Sequence, residues 1–202
     1  GPGSQGRSVV KRADHDIICG IVEPGSRVLD LGCGAGDLLA RLVRDRNVSG
    51  YGIELNETAV YACVDKGLSV FHGDMETGLS GYPDKSFDYV ILNQSMQEAR
   101  NVAGVIGEAL RTGKKVVVGF PNFAYIRARC RLFFKGKAPV TASLPYLWYD
   151  TPNMHFLSFT DFEDFCRAED IAVVAKYFIR RNGQVRLFPN LLADSGVFVI
   201  EE

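Results

Sequence analysis

The run Arg27-Val28-Leu29-Asp30-Leu31-Gly32-Cys33-Gly34-Ala35-Gly36-Asp37-Leu38-Leu39 constrains the fold of this chain more than any other stretch. Its β-branched and apolar residues give way to three glycines at alternate positions, and then to leucines at helical spacing. That is the pattern of a buried strand, a tight loop and a helix start. Glycine tolerates positive φ and lets a bound molecule approach the backbone, and the free N–H groups of the helix start favour an anionic or electron-rich group. The loop is therefore a candidate ligand cradle. A plain βα turn would use the same residues.

The acids downstream favour the cradle. Asp30 ends the first strand, Glu54 ends Gly50-Tyr51-Gly52-Ile53-Glu54, and Asp74 ends Ser69-Val70-Phe71-His72-Gly73-Asp74. In a doubly wound sheet the carboxyl ends of the strands line one crevice, so the three acids would converge on a single ligand. A nicotinamide dinucleotide accounts for only part of this, because its GxGxxG fingerprint requires glycine where Asp37 stands.

The remaining elements follow from periodicity. Ala13 to Val22 is a helix with Ile17, Ile18, Ile21 and Val22 at helical spacing, packing beside the crevice. Leu38, Leu39, Leu42 and Val43 form the inner face of the next helix, and Asp37 at its start is a helix-end carboxylate or a ligand contact. A helix over Asn56 to Lys66 stops at Gly67, and Phe87 to Asn93 is the fourth strand, beside the first. Val102 to Leu110 is a helix and Lys115 to Phe120 a fifth strand, an alternation that gives a parallel sheet with right-handed crossovers. Asp161 to Ala168 is the last helix, with Thr160 as N-cap and Glu163 completing a capping box. Ala172 to Arg180 and Gly196 to Ile200 close the sheet as an antiparallel pair.

With 202 residues the chain is expected to form one domain over 7–202, preceded by Gly1-Pro2-Gly3-Ser4-Gln5-Gly6, which resembles a protease-cleaved tag remnant. The lack of a long apolar run or signal-peptide pattern points to a cytoplasmic protein without membrane attachment. A net charge of -1 gives no global reason to bind nucleic acid. Cys19, Cys33, Cys63, Cys130 and Cys166 are scattered without CxxC spacing, so reduced thiols are expected and no metal site. Cys33 fills a tight turn with a small side chain; a nucleophilic role is the alternative.

The stretch from Pro121 to Tyr149 has no acid and carries Arg127, Arg129, Arg131, Lys135 and Lys137. Its first part is an amphipathic helix with Phe123, Ile126, Cys130 and Phe133 expected inward. The aromatic and proline cluster that follows is long for a plain connection and suits a lid or a partner surface.

The glycine loop with its two following acids resembles the class I S-adenosylmethionine-dependent methyltransferases. The resemblance implies a Rossmann-like α/β fold with a mostly parallel seven-stranded sheet and an antiparallel C-terminal strand. It also implies S-adenosylmethionine, or its demethylated product S-adenosylhomocysteine, as cofactor. Asp30, Gly32, Cys33, Gly34 and Gly36 would then pack against its methionine part, and Glu54, with Leu55 beside it, would take both ribose hydroxyls. Asp74, flanked by Gly73 and Met75, would face the adenine, and Asn93, with Gln94 and Ser95, would face the transferred methyl. Val28-Leu29-Asp30-Leu31-Gly32-Cys33-Gly34, Phe120-Pro121-Asn122-Phe123, Pro139-Val140-Thr141, Leu144-Pro145-Tyr146 and Trp148-Tyr149-Asp150-Thr151-Pro152-Asn153-Met154-His155 together narrow the likeness to the MetW methionine-biosynthesis family. That likeness implies a role beside, or regulating, a homoserine O-acyltransferase (a homoserine O-acetyltransferase or a relative). An active methyltransferase on an unidentified small molecule is the alternative. Its base would come from His155 or Tyr149, with Asp150 a turn residue.

Overall fold

The computed structural model describes residues 12–181 and 183–202, so the expected tag remnant lies outside the described residues. Five strands run parallel: β1 (Arg27–Leu31), β2 (Ser49–Glu54), β3 (Ser69–His72), β4 (Phe87–Asn93) and β5 (Gly113–Pro121). β6 (Ala172–Arg180), β7 (Gly183–Gln184) and β8 (Ser195–Glu201) complete a sheet of order β3-β2-β1-β4-β5-β8-β6-β7. β8 lies antiparallel to both β5 and β6. The expected seven strands are present, and the two-residue β7 pairing with the end of β6 is an addition, too short to leave a sequence period.

Burial on both faces of the sheet explains the near-continuous apolar strands. Successive side chains of a strand point to opposite faces. Thus Tyr89 and Ile91 of β4 join Val28, Val117 and Val199 under α1 (Ala13–Ile21) and α2 (Asp37–Arg46). Val90 and Leu92 join Leu29, Val116 and Phe198 on the other face, under α4 (Val102–Thr112) and α6 (Phe159–Ala168). That second face is rich in aromatics: Phe120 stacks on Phe198 with centroids 5.4 Å apart and meets Phe162 at 5.0 Å. Such ring pairs contribute about 0.5–1.5 kcal/mol beyond their area. No helix among the described residues is long and apolar enough to cross a membrane.

Several expectations need correction. Val43 is half-exposed, its methyl lying over Gly50, so the buried stripe of α2 is Leu38, Leu39 and Leu42 alone. α6 begins at Phe159, with Ser158 as N-cap: Ser158 Oγ accepts from the Asp161 N–H at 3.2 Å, and Asp161 accepts from the Ser158 N–H at 2.8 Å. The box is shifted two residues from Thr160 and Glu163, because Phe159 and Phe162 must both face the core. α6 is not the last helix either, since a single turn, α7 (Pro189–Leu192), follows. Asn56 caps α3 (Glu57–Asp65) rather than starting it, accepting from the Ala59 N–H at 3.0 Å.

The helix expected in the basic segment is present as α5 (Ile126–Lys135), but its phase differs. Tyr125 and Ala128 are its buried contacts, while Cys130 and Phe133 face solvent. Ala128 in the first turn of α5 is its buried residue. Beyond it Leu132, Phe133 and Phe134 are exposed, and Phe133 and Phe134 rest edge-on against each other at 5.0 Å.

Candidate functional site

The strand order reverses between β1 and β4, which opens a crevice at the carboxyl end of the sheet. A cavity of about 710 Å³ occupies it. Asp30, Gly32, Cys33 and Gly34 form one wall, Glu54 and Leu55 a second, Gly73, Asp74 and Met75 a third. Asn93, Gln94 and Ser95 close the inner end. The structure therefore brings together every residue the sequence assigned to a cofactor except Gly36. That glycine turns away, with φ +75 and an added Cβ that would meet Leu68 at 2.5 Å and Cys63 Sγ at 2.8 Å. It seats the loop on α3.

Two other glycines show why the loop needs them. Gly32 has φ +70, and a Cβ there would lie 2.6 Å from the Ser95 Cβ, so the β1 and β4 ends could not close together. Gly34 has φ +54 with nothing within 4 Å of an added Cβ, leaving its backbone open to a bound molecule. Glu54 links the walls: its carboxylate accepts from the Gly34 N–H at 2.7 Å and the Asn56 N–H at 2.8 Å. A carboxylate offers about four lone-pair sites, so two remain for hydroxyl donors. Asp74 accepts from the Glu76 N–H at 2.9 Å through one oxygen, which leaves the other for an amine.

Charge in the cavity is set by burial. The Asp30 carboxyl, 3% exposed, is pushed up to about 7 by loss of solvent and by the neighbouring Glu54. Burial and Asp30 push the Cys33 thiol up as well, and its Sγ and that of Cys63 both turn to the Gly34 carbonyl. Cys33 is thus a protonated filler of the turn, not an activated nucleophile. Asp37 lies on the cavity rim, where Lys66 binds it in an ion pair that also reaches the Ala35 carbonyl.

α1 supplies residues that the sequence reading passed over. Asp14 accepts from Asn93 Nδ2 and from Arg12, each at 2.9 Å. Burial alone would raise its carboxyl, but those donors outweigh it and hold it below the ordinary value. His15 lines the cavity while 6% exposed, and burial, then Arg12, lowers its affinity for a proton. His15, Ile18, Cys19 and Val22 share one helical face, so the spacing that exposed the isoleucines also marked His15 as inward.

The basic and aromatic segment returns over the crevice. The Met154 and His155 N–H groups both donate to the Gln97 carbonyl, at 2.9 and 3.1 Å, and Tyr146 and Met154 edge the cavity. Neither candidate base reaches it: His155 Nε2 is tied to the Ala99 carbonyl at 3.0 Å, and Tyr149 is exposed beside Trp148. A second cavity, of about 840 Å³, shares Arg12, Gln94, Glu98 and Tyr146 with the first.

A family model described as methionine biosynthesis protein MetW matches residues 12–200. The chain belongs to the MetW family. Its curated relatives include the bifunctional methionine biosynthesis protein MetXA/MetW of Rhodopirellula baltica, 32% identical over 94% of this chain and 32% of the relative. A sterol 24-C-methyltransferase, erg6 of Schizosaccharomyces pombe, is 30% identical over 46% of this chain and 26% of that protein. The chain spans roughly a third or less of the length of these curated relatives. Solved structures with the same fold include two S-adenosylmethionine-dependent methyltransferases. One, from Mesorhizobium loti, has TM-score 0.69 and 15% identity, covering 95% of this chain and 99% of that one. The other, from Archaeoglobus fulgidus, has TM-score 0.66 and 14% identity, covering 93% and 94%. At such identities the likeness establishes the Rossmann-like methyltransferase fold for this MetW member.

Proposed function

We propose that this protein binds S-adenosylmethionine or S-adenosylhomocysteine in the β1/β4 crevice and acts with, or regulates, a homoserine O-acyltransferase of methionine biosynthesis. The observation that carries the cofactor part is the Glu54 carboxylate, which clamps the glycine loop and retains acceptor capacity for a ribose diol. The open backbone at Gly34 leaves room for the methionine part, and Met75, lining the same cavity, supports packing on a purine. When bound, S-adenosylmethionine supplies an activated methyl on sulfur; this chain's residues position it and exclude water.

The partnership draws on two supports. In the Rhodopirellula relative the MetW-like part is about a third of a polypeptide that also carries MetXA, so the two are held together covalently. In this chain, Leu147, Trp148 and Tyr149 stand exposed after a run of arginines and lysines, in the residue types enriched at interface centres. The second cavity beside the crevice favours methyl transfer to a small molecule as the other reading.

Labelled S-adenosylmethionine incubated with the protein and candidate metabolites, with and without the acyltransferase, tests both. Label transfer without the acyltransferase supports the enzyme. Cofactor binding that alters acyltransferase activity, without label transfer, supports the regulator. Absence of cofactor binding refutes both readings.

A further inference from the structure

A ligand that carries both an ammonium and a carboxylate meets an uneven set of charges in the β1/β4 crevice. Asp30, Asp37, Glu54, Asp74, Glu76 and Glu98 all line it. Any of these acids can serve an ammonium, but each repels a carboxylate, and like charges brought together weaken binding. The carboxylate of the methionine part therefore needs donors of its own. Among the described residues, the basic side chains on the cavity wall are Arg12, His15 and Arg100. Arg100 belongs to the other end: its N–H donates to Glu76, beside Asp74 and Met75 on the wall assigned to the adenine.

Arg12 and His15 stand at the glycine-loop end. Arg12 is the N-cap of α1, His15 lies in its first turn, and both line the same cavity. The Asp37 carboxyl, held low chiefly by Lys66, is lowered further by the charges of His15 and Arg12, and Arg12 opposes the burial that raises Asp30. The pair is thus close to the end of β1 and the start of α2, the two elements that the glycine loop joins.

His15 has unused donor capacity. It is 6% exposed, and its ring forms no hydrogen bond with another described residue, whereas the rings of His72 and His155 each meet a backbone carbonyl. A buried polar group without a partner is costly, and a ligand that accepts its N–H removes that penalty. Arg12 is held in place for the same task. Asp14 accepts from one of its terminal nitrogens at 2.9 Å, and Asn93 fixes Asp14 in turn, also at 2.9 Å. Most of the guanidinium's N–H donors remain, in the planar fork that a carboxylate fits.

We infer that Arg12 and His15 bind the carboxylate of the cofactor's methionine part, and so make the crevice selective for S-adenosyl ligands that keep an intact amino-acid tail. The inference rests on the cofactor reading and gives α1 a part in it that the glycine loop and the strand-end acids do not supply.

Calorimetric titration of S-adenosylhomocysteine and of its decarboxylated analogue, which retains the ammonium and lacks only the carboxylate, tests this. S-adenosylhomocysteine should bind the native protein about tenfold or more tightly than the analogue. Arg12→Gln and His15→Gln should each remove most of that difference, weakening S-adenosylhomocysteine about tenfold while leaving the affinity of the analogue within about twofold. A merely structural role would lower both affinities together. Arg12 is exposed, so its variant keeps the test alive should His15→Gln fail to fold. The inference is overturned if the analogue binds the native protein as tightly as S-adenosylhomocysteine, or if Arg12→Gln lowers both affinities alike or neither. In those cases S-adenosylhomocysteine still binds and the cofactor reading stands. Failure of S-adenosylhomocysteine itself to bind would overturn the cofactor reading and this one with it.

Discussion

Replacing Asp30 by Asn should stabilise the protein at neutral and alkaline pH, and the gain follows from where the side chain sits. Asp30 is the next-to-last residue of β1, inside the sheet, and loss of solvent, aided by Glu54, raises its carboxyl from 3.8 to about 7. The unfolded chain releases that proton near 3.9, so between about pH 4 and pH 7 the folded state holds a proton that the unfolded state has lost. Stability therefore falls as pH rises through that window. It is fully present below the unfolded value and is lost by the folded one. A tenfold difference in proton affinity between the two states corresponds to about 1.4 kcal/mol, and across the window the whole loss comes to about 4 kcal/mol. Asn is close in size and carries no charge, so the variant lacks this slope. Urea unfolding of both proteins at half-unit steps from pH 4 to pH 8 measures it. The difference between the two isolates Asp30 from the other titratable groups, which both proteins share. Asp30→Asn should gain relative to the native sequence up to about pH 7 and then run parallel to it. Parallel profiles over the whole range would refute the account of Asp30 as a desolvated acid.

Other outcomes follow from the same geometry. Glu54→Ala should weaken S-adenosylhomocysteine by about 1.5–3 kcal/mol, read by calorimetry, because two ribose hydroxyls lose a charged acceptor; unchanged affinity in a folded variant would mean the ribose is held elsewhere. Asp74→Ala should bring the affinities of the adenosine and inosine forms of the cofactor together, whereas equal loss for both would reduce Asp74 to a support for the Glu76 turn. Trp148 is 77% exposed, so Trp148→Ala should leave the melting temperature and cofactor affinity in place while costing about 2 kcal/mol or more in association with the acyltransferase. A variant that still holds the acyltransferase at full affinity would remove Trp148 as an anchor. Gly32→Ala should destabilise the protein by several kcal/mol in urea unfolding, since the residue needs φ +70 and its Cβ would strike Ser95; a change within about 0.5 kcal/mol would contradict the close approach of β1 and β4.

Local pattern was enough to determine β1 to β6, β8 and the crevice of this protein, though not the two-residue β7. The apolar run of β1, the glycines after it, and the acids at the ends of β1 and β2 and just beyond β3 all record constraints that act within a few residues of one another. Parallel pairing then carries them to a single end of the sheet, where Asp30, Glu54 and Asp74 line one cavity. The phase of α5 was not legible, because Phe133 and Phe134 sit at positions a helix normally buries. Only the tertiary structure decided that α5 docks through Tyr125 and Ala128 and leaves its apolar end in solvent. The contribution of α1 was half legible: its spacing turned His15 inward, but nothing local paired Asp14 with Asn93, 79 positions away. The second cavity was not legible at all. Its walls come from α1, the 3₁₀ turn at Met96–Glu98, the returning aromatic segment and the ends of β6 and β8. A surface assembled from segments so far apart in sequence has no period and no motif, and it exists only once the sheet has closed.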